Sequence, residues 1–180
     1  MKKKISKQNQ INEIIKCGKD PVYFMNKYLK IQHPIKGLIP FNTFDFQDEC
    51  VKDFNSHRFN IILKSRQLGL STLVAAYSVW QSIFYKEKNI LIIATKLAVA
   101  QNFIRKVKTY IKSMPKWLLV PVITANNKQQ VEFSNGSQIK AVPTSEDAGR
   151  SEALSLLIVD EAAFVRNFDD LWMGLYPTLS

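Results

Sequence analysis

The prediction of the fold begins with residues 59–72, Phe59-Asn60-Ile61-Ile62-Leu63-Lys64-Ser65-Arg66-Gln67-Leu68-Gly69-Leu70-Ser71-Thr72. The compact apolar run at residues 59–63 predicts a buried parallel strand. The apolar-rich residues 71–85 predict a long helix after it. A loop between a strand and a helix N-terminus presents backbone N–H groups at the positive end of the helix dipole, so residues 64–72 are suited to bind a polyphosphate.

Strands and helices continue to alternate after this stretch. Residues 89–95 and 154–159 are apolar strand candidates, and residues 97–113 form a helix candidate. Two alternating segments joined through Asn135-Gly136 predict a β-hairpin. The pattern predicts an α/β fold with a mostly parallel sheet, flanking helices on both faces and one β-hairpin. Ligands of such sheets bind beyond the carboxyl ends of the strands.

The first 43 residues differ in composition from the rest. Residues 1–43 form a basic, mixed lead-in, in which Asp20-Pro21 predicts the start of a helix that Pro34 ends. A short amphipathic helix is predicted at residues 46–54. With 180 residues and 46% hydrophobic composition, the chain has the size of one globular domain.

The overall charge favours an anionic partner. Lys and Arg total 25 against 15 Asp and Glu, which gives a net charge of +10. Nucleic acid or nucleotide would match this charge, and a merely basic protein is the equally weighted alternative. Cys17 and Cys50 form no CxxC pattern, and His33 and His57 lack neighbouring ligands, so no disulfide framework or zinc site is expected. No secretory signal or membrane-spanning run of roughly 18 apolar residues is present.

The loop matches the phosphate-binding pattern G-x-x-x-x-G-K-[ST] only in part. Gly69 and Ser71 fit, Leu70 replaces the usual lysine, and Lys64 occupies the first glycine position. Without a cation, the loop loses the charge that offsets the β and γ phosphates. The long Lys64 side chain offers a replacement, and Arg66 offers a second positive charge.

The start of the predicted helix offers a metal-binding hydroxyl. Ser71 would place its hydroxyl on Mg²⁺, with Thr72 as the less favoured candidate. The alternative for the whole loop is a strand-to-helix turn in which Ser caps the helix and Gly allows a tight backbone.

The strand at residues 154–159 ends in two carboxylates, which is the form of a Walker B strand. Asp160 would hold Mg²⁺ through a water, and Glu161 would orient and deprotonate the attacking water. A buried strand can end in Asp-Glu by chance, so the prediction depends on the strand-loop-helix unit that precedes it in the same domain.

Together, residues 64–72 and Ile158-Val159-Asp160-Glu161-Ala162-Ala163-Phe164 resemble the ATPase domain of tailed-phage large terminases, which has a P-loop NTPase-like fold. The Ser65-Arg66-Gln67-Leu68-Gly69 core is similar to the distinctive phosphate loop of that family. Some members carry a deviant Walker A motif with the lysine at the start of the loop, where this sequence has Lys64. The nucleotide-binding set that the resemblance implies is Gln47, Lys64, Ser65, Arg66, Gln67, Leu68, Gly69, Leu70, Ser71 and Thr72.

Two further segments agree with the resemblance. Residues 44–48 lie where the family places adenine recognition, so Gln47 would read the adenine edge while an aromatic neighbour packs on the base. The alternative is a Gln at an exposed helix start. Arg150 lies where terminases carry a candidate arginine finger, acting in its own or a neighbouring subunit. A solvent-exposed loop arginine is the alternative. The implied catalytic residues are thus Glu161, Arg66 and Arg150, with Mg²⁺ on Ser71 and Asp160.

The resemblance implies a Mg²⁺-dependent ATPase that couples ATP hydrolysis to translocation of double-stranded DNA into a procapsid. It also implies a homo-oligomeric ring on the portal protein, a small terminase subunit as partner, and a location in the host cytoplasm and transiently at the procapsid portal vertex. The alternatives are a helicase-like DNA translocase and a non-catalytic DNA-binding or assembly module with an ATPase fold.

The resemblance covers residues 44–180, which we expect to be a P-loop ATPase domain that is incomplete at its C-terminus. The chain ends before the family's coupling motif and nuclease domain, and no acidic set for two-metal DNA cleavage is present. We therefore expect nuclease activity only in a C-terminal part that these residues do not include.

Overall fold

The computed structural model describes residues 6–144 and 153–179. Within them the helices are Lys7–Lys19 (α1), Pro21–Tyr28 (α2), Asp45–Ser56 (α3), Leu70–Phe84 (α4), Leu97–Ser113 (α5) and Phe168–Leu175 (α6). The strands are Lys30–His33 (β1), Gly37–Pro40 (β2), Asn89–Ala94 (β3), Ile123–Asn126 (β4), Gln130–Phe133 (β5), Gln138–Pro143 (β6) and Leu156–Val159 (β7). None of the described helices is long and apolar enough to cross a membrane.

The main sheet has five strands in the order β4-β5-β6-β3-β7. Strand β3 pairs in parallel with β6 on one side and with β7 on the other. The β4–β5 and β5–β6 pairs are antiparallel, and β1 and β2 form a separate antiparallel pair. The predicted α/β fold is confirmed, and its parallel part is the β6-β3-β7 core that carries the ends of β3 and β7 to one edge.

The predicted hairpin through Asn135-Gly136 joins β5 to β6. Gly136 has φ +81°, a conformation that L-residues with a side chain rarely adopt. The Asn135 side chain donates from Nδ2 to the carbonyl oxygens of Ser82 and Tyr85, at 2.9 and 3.0 Å. The turn therefore fixes the hairpin against the end of α4 as well as reversing the chain.

Helices cover both faces of the sheet. The side chains of β3 therefore alternate between two cores, one on each face. Ile90 and Ile92 belong to the larger core, which also contains the buried faces of α4 and α5. Leu91 and Ile93 point into a smaller core, where they join Leu171 and other apolar residues near α6. Apolar side chains on both faces are what a central parallel strand requires.

The N-terminal lead-in packs onto the same larger core. The Trp80 indole donates from Nε1 to the carbonyl oxygen of Cys17 at 2.8 Å, and the Phe24 and Phe84 rings meet edge to face at 5.3 Å. The predicted helix start is confirmed, since the Asp20 side chain accepts from Tyr23 N at the beginning of α2. The helix ends at Tyr28 and not at Pro34, however, because the chain enters β1 before Pro34 is reached.

The prediction of a buried strand at residues 59–63 is wrong. This segment has no regular structure, and the Ile61 and Leu63 side chains are fully exposed, at 100% and 101%. A strand needs a neighbouring strand to pair its backbone N–H and C=O groups. Among the described strands, β7 at the edge of the main sheet pairs only with β3, so residues 59–63 do not extend the sheet there. At the start of the segment, the Phe59 ring contacts Trp172 of α6 and Tyr176 just after that helix, at centroid distances of 6.2 and 6.3 Å.

Candidate functional site

The loop before α4 ends at Gly69, which adopts the left-handed conformation at φ +71°. Its carbonyl oxygen accepts from the backbone N–H groups of Thr72 and Leu73, at 3.0 and 2.9 Å, and so starts the helix. The side chains of Lys64, Ser65, Arg66, Gln67 and Leu68 are exposed. The loop therefore presents polar and cationic groups at the positive end of α4, as an anion site requires.

Leu70, at the position of the usual lysine, points into the protein. Its side chain is 6% exposed and belongs to the larger core. A lysine there would place its ammonium among apolar side chains, which is costly without a partner. Leu70 can therefore contribute only backbone groups to the loop, and the positive charge of the site has to come from other residues.

Ser71 and Asp160, the two predicted metal-binding residues, are in direct contact. The Ser71 hydroxyl donates to Asp160 Oδ2 at 2.7 Å, across 89 residues of sequence. Carboxylate and hydroxyl oxygens suit Mg²⁺, which takes few protein ligands and completes its shell with water and phosphate oxygens. The described residues hold no cluster of three or more His, Cys, Asp or Glu, so Mg²⁺ held here would depend on this pair.

Glu161 follows β7 and borders an open cavity of about 560 Å³ that Arg66 also lines. Its φ is +56°, an uncommon value for a residue with a side chain, and its side chain is exposed. The cavity is also lined by Thr95 and Lys96, which follow β3, and by Thr144, which follows β6. These three residues were not predicted from the sequence, although polar residues directly after buried strands are a usable signal.

Gln47 is buried, at 2% exposure, rather than placed at an exposed helix start. Its Nε2 donates to the carbonyl oxygen of Leu68 at 2.9 Å, and its Oε1 accepts from Phe44 N at 3.2 Å. The side chain thus links the first turn of α3 to the phosphate loop. Beside it, the exposed rings of Phe44 and Phe46 stack at 5.7 Å.

A second lysine that was not predicted from the sequence, Lys106, lies near the same loop. Lys106 is partly buried on α5. Burial lowers its pKa, nearby Asp160 acts to raise it, and Lys64 acts to lower it further. No motif marks this lysine in the sequence, because its position depends on how α5 packs. Arg150, the predicted arginine finger, lies outside the described residues.

Known proteins match both the sequence and the fold. Residues 61–175 match the family model described as the terminase large subunit, T4likevirus-type, N-terminal. The HK97 bacteriophage large terminase superposes with a TM-score of 0.68 and 18% identity, over 87% of this chain and 34% of that one. The Thermus phage P74-26 large terminase ATPase domain superposes with a TM-score of 0.52 and 17% identity, over 63% of this chain and 51% of that one.

At these identities the structural similarity shows a shared fold. The chain spans about a third of the length of the HK97 large terminase and about half of the P74-26 ATPase domain. The family model covers well over half of the present chain and includes both the phosphate loop and the Asp160-Glu161 pair. The chain therefore belongs to the T4likevirus-type terminase large subunit family and represents its N-terminal region.

Proposed function

We propose that this chain binds ATP with Mg²⁺ at the loop before α4 and hydrolyses it. The contact between Ser71 and Asp160 is the main support, because it joins the first turn of the phosphate-loop helix to the end of the Walker B strand. Each residue alone has an ordinary structural explanation. Their contact at the positive end of a helix is the arrangement that a metal-bound triphosphate needs.

Each side chain has a defined role in this proposal. Lys64 and Arg66 offset the charge of the phosphates, and the backbone N–H groups at the start of α4 bind their oxygens. Ser71 and Asp160 would hold Mg²⁺, which when bound neutralises charge on the β and γ phosphates. Glu161 orients the attacking water and accepts its proton, and Arg150 stabilises charge on the transferring phosphoryl group.

The adenine end is assigned to the start of α3. The exposed rings of Phe44 and Phe46 offer a flat apolar surface for a base. The Gln47 amide has one N–H beyond the bond to Leu68, and this group would read the adenine edge. Because the same amide holds the loop, Gln47 would connect adenine recognition to phosphate binding.

At the level of the whole protein, we propose a motor that couples this hydrolysis to translocation of double-stranded DNA into a procapsid. The family membership and the fold shared with two large terminases support this role. The net charge of +10 agrees with a DNA partner. The proposal includes a ring of copies on the portal protein, a small terminase subunit as partner, and action in the host cytoplasm at the portal vertex.

Nucleotide binding is tested by titration with a fluorescent ATP analogue, with and without Mg²⁺. We expect Mg²⁺ to raise the affinity of the wild-type chain for the ATP analogue. In Asp160→Asn we expect this increase in affinity to be smaller by roughly 10- to 100-fold. Asp53→Asn, at an exposed carboxylate of α3, is the matched control. An equal Mg²⁺ effect in all three proteins would remove Asp160 from the metal site.

Hydrolysis is tested with Glu161→Gln, which keeps the shape of the side chain and removes its basicity. We expect turnover to fall by about 10²- to 10⁴-fold while nucleotide affinity is kept. Retained turnover would exclude Glu161 as the base. A wild-type protein that binds ATP but shows no turnover above the Glu161→Gln level would favour the non-catalytic module.

A further inference from the structure

One face of α5 lies against the first turn of α4. The Tyr110 side chain, which is 1% exposed, donates from its hydroxyl to the carbonyl oxygen of Thr72 at 2.9 Å. Thr72 directly follows Ser71, the proposed metal-binding residue. The contact therefore fixes the position of α5 relative to the phosphate loop.

Lys106 lies one helical turn before Tyr110 and so on the same face of α5. Helix α5 begins just after the carboxyl end of β3, and α4 begins beside Asp160, just after the carboxyl end of β7. Both helices thus start at the same edge of the sheet. Long helical side chains point toward the helix N-terminus, which carries the Lys106 side chain toward the loop.

The surroundings of Lys106 do not neutralise it. The side chain is partly buried, and it forms no ion pair or hydrogen bond with any residue that the structure describes. The charged groups that act on it are Asp160, which attracts the ammonium, and Lys64, which repels it. An ammonium that lies close to a second lysine and near the N-terminus of a helix leaves surplus positive charge there, which favours a bound polyanion.

The phosphate loop lacks a cation on this side of the site. Leu70 points into the core, and Lys64 approaches from the beginning of the loop. We propose that the Lys106 ammonium binds the terminal phosphates of ATP and supplies, from α5, the positive charge that position 70 does not provide. This inference rests on the proposed ATP site and adds to it a residue outside both nucleotide-binding motifs.

The test compares Lys106→Met with Lys112→Met, at an exposed lysine in the last turn of the same helix. Methionine keeps the side-chain length and the helix propensity. Affinities for fluorescent analogues of ATP and AMP are measured on the 180-residue chain, and thermal unfolding confirms that each variant folds. We expect Lys106→Met to weaken ATP binding about 10-fold or more and to leave AMP binding unchanged. Lys106→Arg should restore part of the loss, and Lys112→Met should change neither affinity.

The outcomes separate this inference from the proposed function. If Asp160→Asn loses the Mg²⁺ effect while Lys106→Met binds ATP like the wild type, the ATP site remains and the role of Lys106 is wrong. If Lys106→Met weakens ATP and AMP equally, the lysine shapes the site without binding the terminal phosphates, and the inference is also wrong. If the wild-type chain binds no ATP, the proposed function and the inference fail together.

Discussion

Gly69 combines two constraints at one position. Its φ of +71° places it in the left-handed region, and a Cβ atom there would lie 3.0 Å from Gln47 Nε2. That nitrogen donates to Leu68, the residue before the glycine. A side chain at position 69 would therefore strain the backbone and also displace the group that holds the loop to α3.

We predict that Gly69→Ala lowers the free energy of unfolding by about 1–2 kcal/mol, the usual cost of a left-handed L-residue. It should also weaken binding of a fluorescent ATP analogue, because the displaced Gln47 no longer holds the loop. Gly37→Ala is the control, since Gly37 has φ +70° and no atom within 4 Å of an added Cβ. Urea unfolding and titration measure the two effects, and equal ATP affinity in the two variants would contradict the role of Gln47.

At the level of single residues, the sequence predicted the contacts that have a local signature. Ser71 and Asp160 could be assigned to the same site from the sequence, because each occupies a defined place in a motif. Ser71 stands at a helix start and Asp160 at a strand end. The position of Lys106 could not be predicted, because it depends on the rotation of α5 about its own axis, which packing against Thr72 and the sheet sets.

Among the elements, α1 and α2 are joined by a polar network around Glu13. The carboxylate accepts hydrogen bonds from the hydroxyls of Tyr28, at 2.6 Å, and Tyr23, at 3.1 Å, and pairs with Lys27 at 3.0 Å. The bond from Tyr28 is the largest of the effects that lower the pKa of Glu13. A carboxyl whose pKa is lower in the folded state stabilises the protein above its unfolded pKa, and this contribution is lost as the pH falls through the folded pKa.

We predict that Glu13→Gln is less stable than the wild type at neutral pH, and that this difference shrinks as the pH falls below the ordinary value of 4.5. Thermal unfolding across this range measures the difference. Glu49→Gln, at an exposed carboxylate of α3, should show no comparable change. A stability difference between Glu13→Gln and the wild type that does not vary with pH would mean that the network does not depend on the ionised carboxylate.

The segment at residues 59–63 shows where a pattern of apolar residues is insufficient. The run has the composition of a buried strand, but strand formation depends on a neighbouring strand, and the composition of the segment carries no information about that neighbour. The helices at residues 45–56, 70–84 and 97–113 were predictable, because their hydrogen bonds are internal to the segment.

We predict that Ile61→Lys changes the free energy of unfolding by no more than about 0.5 kcal/mol, because the side chain is fully exposed. Ile92→Ala, in the centre of β3, should cost about 2–5 kcal/mol. Urea unfolding of the two variants gives both values. A loss of several kcal/mol in Ile61→Lys would show that the segment is buried in solution.

For the whole molecule, two cores on either side of β3 account for the α/β architecture that the alternating pattern predicted. The antiparallel extension by β4 was not predicted, because residues 123–126 alternate over only four positions. Nor did the composition of the lead-in show that Cys17, Phe24 and Met25 would join the larger core. Their burial depends on the complementary surface of α4, which becomes available only when the chain folds.

We predict that the chain binds double-stranded DNA without strong sequence preference. The affinity should fall steeply between about 50 and 200 mM salt, because the surplus positive charge of the protein would displace counterions from the DNA phosphates. Fluorescence anisotropy with two duplexes of unrelated sequence measures both properties. An affinity that is insensitive to salt would exclude this mode of binding.

The hydrogen bond between Ser71 and Asp160 has a consequence for the proposed hydrolysis of ATP. The two oxygens lie 2.7 Å apart, so a Mg²⁺ ion bound at the proposed site would replace one hydrogen bond instead of drawing two distant segments together. On release of the products, the hydroxyl would regain its carboxylate acceptor, and the start of α4 would stay against the end of β7. Under the proposed function, successive rounds of ATP binding would then require little rearrangement of the domain at this point.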